Sequence, residues 1–210
     1  MRKIKTFVVG PQTGYARFIK NRELVNNIED AQVVVFTGGE DINPEIYNCK
    51  KHRSTYFNRR RDKEELEAYK KVRKDQLIVA ICRGAQMCCA LNGGKLVQDC
   101  SGHKCGYSHG ITNGKVTYQI TSIHHQMMYP YTIDKKNYDI LYKSSEILSD
   151  RWEGDGIDPK NIMKDGEPEI IMFHTPGSPK ALAIQGHPEM TPDSPVADMI
   201  NELIIKNINE

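Results

Sequence analysis

The sequence predicts an α/β fold in which helices flank a doubly wound, mostly parallel central sheet with an antiparallel hairpin insertion. Three observations lead to this class. The uninterrupted apolar run Leu77–Ile81 suits a parallel strand that is covered on both faces. Segments with strand and helix character alternate on either side of it. Asn113-Gly114 stands between strand-like residues, which is a strong signal for a tight hairpin.

The first half of the chain alternates between the two patterns. Residues 5–9 predict a short buried strand, and apolar residues at helical spacing predict a helix over 15–28. A β-branched strand follows at 32–36. A charged helix is predicted at 61–74, and a second helix at 84–91 follows the strand Leu77–Ile81 directly.

The second half is richer in strands. The predicted hairpin at 111–116 is followed by four strand-like segments, at 117–123, 138–142, 169–173 and 181–184. Ser194 is a good N-cap with Pro195 at the first helical position, so a final helix is predicted there. With no repeat and no clear linker, the simplest expectation is one domain over residues 1–210.

Composition excludes several classes of protein. The chain has 210 residues, 39% of them hydrophobic, and a net charge of +2, which does not suggest a nucleic-acid or membrane binder. The basic stretch 50–61 is followed at once by acids, and we interpret it as a solvated face. No apolar run could span a bilayer or form a signal peptide. We therefore expect a cytoplasmic protein with mostly reduced cysteines.

The segment around Cys82 has the pattern of a nucleophile elbow. A buried strand ends there, a helix begins, and the small residues Ala80 and Gly84 stand two positions before and after the thiol. Such a sharp turn would lift the thiol out of the sheet to an exposed point at a helix N-terminus, which favours a thiolate. The alternative is an ordinary core cysteine after a strand.

Two further segments could complete a site. His187 and Glu189 are two residues apart in what should be extended chain, so their side chains would point the same way, and a histidine beside a carboxylate is a good proton carrier for a thiol. Gly38-Gly39 follows a strand and could bring backbone N–H groups close to a ligand, together with the N–H of Arg83. A surface loop and an ordinary turn are the alternatives.

Four motifs in one order resemble a known family. They read Gly38-Gly39-Glu40-Asp41-Ile42-Asn43-Pro44-Glu45-Ile46-Tyr47, Cys82-Arg83-Gly84-Ala85-Gln86, His124-His125-Gln126 and Gln185-Gly186-His187-Pro188-Glu189. The order is similar to that of class I glutamine amidotransferase-like proteins, and most like the γ-glutamyl-amide hydrolase branch, which includes γ-glutamyl-γ-aminobutyrate hydrolases. The resemblance spans roughly residues 36 to 190 and includes Arg61-Asp62 with Glu65.

The resemblance implies a flavodoxin-like sheet and a Cys-His-Glu triad of Cys82, His187 and Glu189. The oxyanion hole would be the backbone N–H groups of Gly39 and Arg83. The side chains that would bind the γ-glutamyl group are Gln86, His125 and Gln126. The reaction would pass through a glutamyl thioester and need no metal or cofactor. The substrate would be glutamine or a small γ-glutamyl amine, and a separate synthetase subunit could receive the ammonia.

Three features depart from the family's pattern. Ala80 stands where the family often has Gly, which is a mild change. Gly186 stands where a large residue usually precedes the histidine, so we expect a more open pocket wall. Only about 30 residues precede the strand before Gly38-Gly39, where the hydrolase branch usually fits another strand and helix.

Two other functions stay open at this level. Cys100, His103, Cys105 and His109 lie close together in sequence and could bind zinc, which would indicate a structural or binding module. Their spacing is irregular, and no CxxC pair supports a zinc ribbon. The other alternative is an inactive homologue used for binding, against which the intact Cys82, His187 and Glu189 argue.

Overall fold

The computed structural model describes residues 3–208, which contain a large mixed sheet between helical layers. The strands are β1 (Ile4–Val8), β2 (Arg22–Leu24), β3 (Val33–Phe36), β4 (Leu77–Ile81), β5 (Lys95–Val97), β6 (Asp99–Cys100), β7 (Lys104–Thr112), β8 (Thr117–Ile123), β9 (Met127–Tyr129), β10 (Tyr138–Ser144), β11 (Trp152–Glu153), β12 (Pro168–Phe173) and β13 (Ala181–Ile184). The helices are α1 (Arg59–Lys71), α2 (Arg83–Leu91), α3 (Pro159–Asp165) and α4 (Pro195–Ile208).

The central sheet has the strand order β2-β1-β3-β4-β13-β12-β10-β7-β8 within residues 3–208. The neighbours from β2 to β13 run parallel. From β13 to β8 the pairs are antiparallel, and the predicted hairpin forms the far edge as β7 and β8. Two small two-stranded sheets, β11-β6 and β5-β9, lie outside it. The predicted α/β class is confirmed, and the antiparallel part extends beyond the hairpin to β10 and β12.

Strand β4 is apolar throughout because both of its faces are covered. Leu77, Val79 and Ile81 belong to one hydrophobic cluster, which also contains residues of α4. Ile78 and Ala80 belong to a second cluster on the opposite face, which contains residues of α2. Full burial of a side chain of this size stabilises the fold by about 1.5–3 kcal/mol, so the strand contributes to both layers.

The helix predicted over residues 15–28 is wrong. The segment contains a 3₁₀ turn at Thr13–Ala16, the short strand β2 and a second turn at Ile28–Asp30. Asn21 has a positive φ of 56°, which ends any helical path, and β2 then pairs in parallel with β1. Phe18 and Ile19 are nevertheless buried, so the spacing of apolar residues correctly indicated burial but not a helix.

The remaining predicted elements are found within a few residues of their expected bounds. Gly114 has a φ of 86° in the hairpin turn, a conformation that glycine adopts without strain. The N–H of Ala197 lies 3.4 Å from Ser194 Oγ at the start of α4. The sequence patterns did not predict α3 or the short strands outside the central sheet. Within residues 3–208, no helix is long and apolar enough to cross a bilayer.

Candidate active site

Cys82 occupies a strained turn between β4 and α2. Its φ and ψ are 51° and −108°, a conformation that costs energy in any residue with a Cβ. The turn packs against the end of β3, where a Cβ placed on Gly84 would lie 2.5 Å from the carbonyl oxygen of Phe36. Glycine is therefore required two residues after Cys82, which is the physical reason for the small residue in the elbow pattern.

The parallel strands bring the predicted motifs together at their carboxyl ends. Phe36 of β3 pairs with Ala80, and Ile184 of β13 pairs with Ile81. The segment after Phe36 and the segment after Ile184 therefore lie on either side of Cys82. The carboxyl edge of a parallel sheet is where ligands bind in open α/β folds.

His187 forms a short contact with Glu189. The distance from His187 Nδ1 to Glu189 Oε1 is 2.7 Å, and the backbone N–H of His187 donates to the carbonyl of Thr121 at 2.9 Å. Pro188–Met190 form a 3₁₀ turn and not the extended chain expected, yet both side chains still meet. Within the described chain, His187 Nε2 has no hydrogen-bond partner, so this nitrogen remains available to a reacting group.

The charge state of His187 depends on its neighbours. Burial opposes protonation, but the thiol of Cys82 and the carboxylate of Glu189 favour it, and together they raise the pKa of His187 to about 10. The imidazole is therefore charged at neutral pH. A charged imidazole beside a thiol is the arrangement that supports a reactive thiolate.

The thiol of Cys82 is buried, whereas the elbow pattern predicts a thiol at an exposed point. Cys82 is 6% exposed. Tyr15, in the first 3₁₀ turn, lies beside the same centre, with its ring centroid 6.4 Å from that of His187. Burial, followed by the charges of Glu189 and Cys82, raises the pKa of Tyr15 to about 12. Tyr15 was not predicted as a site residue, because no motif in the sequence includes it.

Gly38-Gly39 is held by Arg61 of α1. Nη2 of Arg61 donates to the carbonyl oxygen of Gly38 at 2.7 Å, and Nη1 binds Glu40 Oε2 at 2.6 Å. A Cβ on Gly39, whose φ is 149°, would lie 2.0 Å from Arg61 Nη1. The sequence predicts glycine here so that a ligand can approach, and the positive φ together with the nearby guanidinium also favours glycine at this position.

The Arg83 side chain lies within a buried cluster of charges. Arg83 is fully buried and binds Asp62 Oδ1 at 2.6 Å, and it also contacts Glu65. The other oxygen of Glu65 lies 2.9 Å from Arg61 Nε. The basic stretch 50–61 is therefore only partly a solvated face: the Arg60 side chain is 87% exposed, whereas that of Arg61 is 22% exposed.

The predicted substrate-binding residues have different environments. Gln86 Nε2 donates to the carbonyl oxygen of Gln126 at 3.0 Å, and Gln126 Nε2 donates to Thr55 Oγ1 at 3.1 Å, so the two buried amide nitrogens already have partners, whereas Gln126 Oε1 has none among the described residues. His125 is half-buried and contacts Asp41 Oδ1 at 3.1 Å. This hydrogen bond, with a smaller effect from Asp99, raises the pKa of His125.

A cleft of about 610 Å³ opens beside His125. Its charged lining residues are Asp99, Lys104 and Arg151. Cys82 is not among the lining residues. The more open wall expected at Gly186 is wrong, because the buried Ile120 fills the space: a Cβ on Gly186 would lie 2.7 Å from Ile120 Cγ1.

The four residues that the sequence suggested as zinc ligands, Cys100, His103, Cys105 and His109, are not the residues that the structure brings together. Among the side chains that are described, the group with metal-ligand proximity is His103, His124 and Glu169. Only His103 belongs to both sets. Cys100 and His109 fall outside this group, and the side chain of Cys105 lies outside the described part of the molecule.

Three solved structures are similar to the chain over almost its whole length. A protein from Thermoplasma acidophilum, described as a putative subunit of GMP synthase, is 15% identical, with a TM-score of 0.61 over 100% of this chain and 96% of that one. PurLQS from Thermotoga maritima is 14% identical, with a TM-score of 0.57 over 99% and 98%. A glutamine amidotransferase from Thermotoga maritima is 11% identical, with a TM-score of 0.54 over 100% and 98%. At these identities the likeness shows the fold alone.

Sequence comparison gives the family. No curated protein matches the chain significantly. The family model of peptidase C26 matches residues 18–189, which is more than half of the chain. The match includes every motif noted in the sequence. The chain therefore belongs to the peptidase C26 family, which is class I glutamine amidotransferase-like.

Proposed function

We propose that the protein hydrolyses the side-chain amide of a γ-glutamyl compound through a covalent thioester at Cys82. One observation supports this most directly: Cys82 occupies a strained turn at the N-terminus of α2, beside a buried His187 that contacts Glu189 at 2.7 Å. A nucleophile beside a base, with a third group that orients the base, is the arrangement that nucleophilic catalysis requires. Membership of the family supports a hydrolase that acts on amide bonds.

The first half of the reaction forms the thioester. The Cys82 thiolate attacks the γ-carbonyl carbon, and the carbonyl π-electrons move onto oxygen. The backbone N–H groups of Gly39 and Arg83 would bind this oxyanion. His187 gives its Nε2 proton to the departing nitrogen, the C–N bond breaks, and ammonia or an amine leaves.

The second half releases glutamate. Neutral His187 takes a proton from water, the hydroxide attacks the thioester carbon, and the Cys82 thiolate leaves. Glu189 orients His187 through Nδ1 and stabilises its charged form in both halves. Gln86, His125 and Gln126 are proposed to position the γ-glutamyl group. No step requires a metal or a cofactor.

Two forms of this activity are supported by different observations. The motif order, which most resembles the γ-glutamyl-amide hydrolase branch, favours a free hydrolase that cleaves a γ-glutamyl amine. The whole-chain likeness to a protein described as part of a GMP synthase supports a glutaminase that passes ammonia to a separate synthetase. We place the hydrolysis of a γ-glutamyl amide first because both forms share it.

The test is a glutamate-release assay with glutamine and a panel of γ-glutamyl amines, and with Cys82→Ala as the control. We expect turnover of at least one amide by the wild type and none by Cys82→Ala, with the fold unchanged by circular dichroism. Retained turnover by Cys82→Ala would refute the proposal.

A second readout tests the case in which the protein hydrolyses glutamine only together with a synthetase partner. The wild type is incubated with an electrophilic glutamine analogue, and labelling is located by mass spectrometry. Labelling of Cys82 that glutamine blocks, with slow turnover of every amide, would indicate a glutaminase that needs a synthetase. If the wild type shows no turnover and Cys82 is not labelled, both forms are contradicted.

A further inference from the structure

A buried cluster of histidine and glutamate side chains takes no part in the proposed reaction. His103, Glu167 and Glu169 are fully buried, His124 is 3% exposed, and His109 lies beside them. The cluster joins the antiparallel strands, since His109 is in β7, His124 directly follows β8, and Glu169 is in β12. Five titratable groups in a core need partners, because an unpaired buried charge costs several kcal/mol.

His124 is held in the form that binds metals. Its Nδ1 lies 2.9 Å from the carbonyl oxygen of Gln126, and a carbonyl can only accept, so the ring proton is on Nδ1. The lone pair is therefore on Nε2. This atom is buried and has no hydrogen-bond partner among residues 3–208. Metal-binding histidines commonly donate their second N–H to a backbone carbonyl in this way.

Another buried atom in the cluster also has no partner. Oε2 of Glu169 has no hydrogen-bond partner in the described structure. One ligand atom from each of His103, His124 and Glu169 lies within 4.8 Å of the others. A tetrahedral ion with bonds of about 2.1 Å holds its ligand atoms about 3.4 Å apart, so rotation of the side chains by roughly 1 Å would complete the site.

The contacts around these three residues fit a second shell. Oε1 of Glu169 lies 2.8 Å from His109 Nε2, and His103 Nε2 lies 3.2 Å from Glu167 Oε2. Glu167 is itself fixed, because it accepts from the backbone N–H groups of Leu148 and Ser149. Two carboxylates also balance the charge of a dication. Outer partners of this kind orient the metal ligands.

We propose that His103, His124 and Glu169 bind one divalent transition-metal ion, for which zinc is the best match. Two imidazoles and one carboxylate form a donor set that suits zinc, and hard oxygen-preferring cations would find too few oxygens. The ion would connect the start of β7 and the end of β8 to Glu169 in β12. Three protein ligands leave the fourth tetrahedral position to water, and the proposed reaction does not use the ion.

The test measures metal bound to the purified full chain, in a Cys82→Ala background so that the candidate active site does not bind the metal through its thiol. Metal content is measured by mass spectrometry after titration of chelator-treated protein with Zn²⁺ and removal of free ion. We expect one equivalent per chain and a rise in Tm on binding. His124→Ala should lose both effects. His174→Ala, which alters a partly exposed histidine outside the cluster, should keep both.

A second measurement needs no change in the cluster and so does not depend on whether His124→Ala folds. The visible spectrum of the Co²⁺-loaded protein reports the donor set. Tetrahedral bands without a sulfur charge-transfer band are expected. Well under one equivalent of Zn²⁺ after titration would overturn the proposal, and the cluster would then be a metal-free hydrogen-bonded network of imidazoles and carboxylates. A sulfur band, or equal loss of metal in His174→Ala, would also overturn it.

Discussion

Nη2 of Arg61 donates a 2.7 Å hydrogen bond to the carbonyl oxygen of Gly38. Arg61 also shares Glu65 with Arg83, so two side chains of α1, Arg61 and Glu65, link the loop at Gly39 to the first residue of α2. These are the two positions whose backbone N–H groups we propose as the oxyanion hole. The relative position of the two donors therefore depends on α1, which contributes no reacting group.

Replacing Arg61 with Gln should lower kcat roughly tenfold to a hundredfold while KM changes little. The Gly38-Gly39 loop would lose its anchor, and a misplaced oxyanion donor affects the transition state more than the bound substrate. Steady-state kinetics on the best γ-glutamyl amide would measure this. Arg60→Gln removes an exposed guanidinium from the same helix and should leave kcat unchanged. Equal kcat for Arg61→Gln and the wild type would refute the role of the anchor.

Replacing Asp62 with Asn should destabilise the fold by about 3 kcal/mol. The change leaves the buried Arg83 with one carboxylate in place of two, and removing one partner of a buried ion pair is strongly unfavourable. Urea unfolding would give the free energy of unfolding. Glu67→Gln, at an exposed position on α1, is the matched control and should leave the free energy of unfolding nearly unchanged. If Asp62→Asn lowers the free energy of unfolding by less than about 1 kcal/mol, Glu65 alone is enough to compensate the buried charge of Arg83.

Replacing Tyr15 with Ala should uncover the thiol of Cys82. The ring lies beside His187 and Cys82, and Cys82 is only 6% exposed. We expect the rate of alkylation by iodoacetamide to rise roughly tenfold, which corresponds to a local opening that costs about 1.4 kcal/mol less. Tyr15→Phe keeps the ring and should react like the wild type. Tyr56→Ala, at a residue 73% exposed, is the surface control. An unchanged rate in Tyr15→Ala would mean that other groups cover the thiol.

Replacing Glu189 with Gln should move the alkaline limb of the activity profile to lower pH. The folded pKa of His187 is about 10, above its usual value of 6.5, so the protonated form adds stability that is complete below pH 6.5 and lost as the pH rises through about 10. Proton donation to the leaving amine should fail over the same range. Without the carboxylate, burial is opposed by Cys82 alone, and the pKa of His187 should fall. The pH dependence of kcat/KM measures the limb, and identical limbs in both proteins would contradict the role of Glu189.

The sequence by itself determined the features that depend on neighbouring residues. Leu77–Ile81 had to be a strand buried on both faces because it has no polar side. Gly84 follows Cys82 by two residues because the turn into α2 leaves no room for a Cβ, and Asn113-Gly114 supplies the backbone conformation that a tight hairpin needs. These requirements act within a few residues, so they are visible in a short stretch of sequence. The motif order then gave the family, which the comparison with peptidase C26 confirmed.

Only the tertiary structure decided which distant side chains meet. Residues 15–28 have helical spacing, yet Asn21 and pairing with β1 make them a turn and an edge strand. Arg61 looked like part of a solvated basic run, but folding brings it to Gly38 and Glu65. Tyr15 lies beside His187, which is near the other end of the chain, and His103 lies beside His124 and Glu169. Such contacts depend on long-range packing of sheet and helices, which no local pattern of residues specifies.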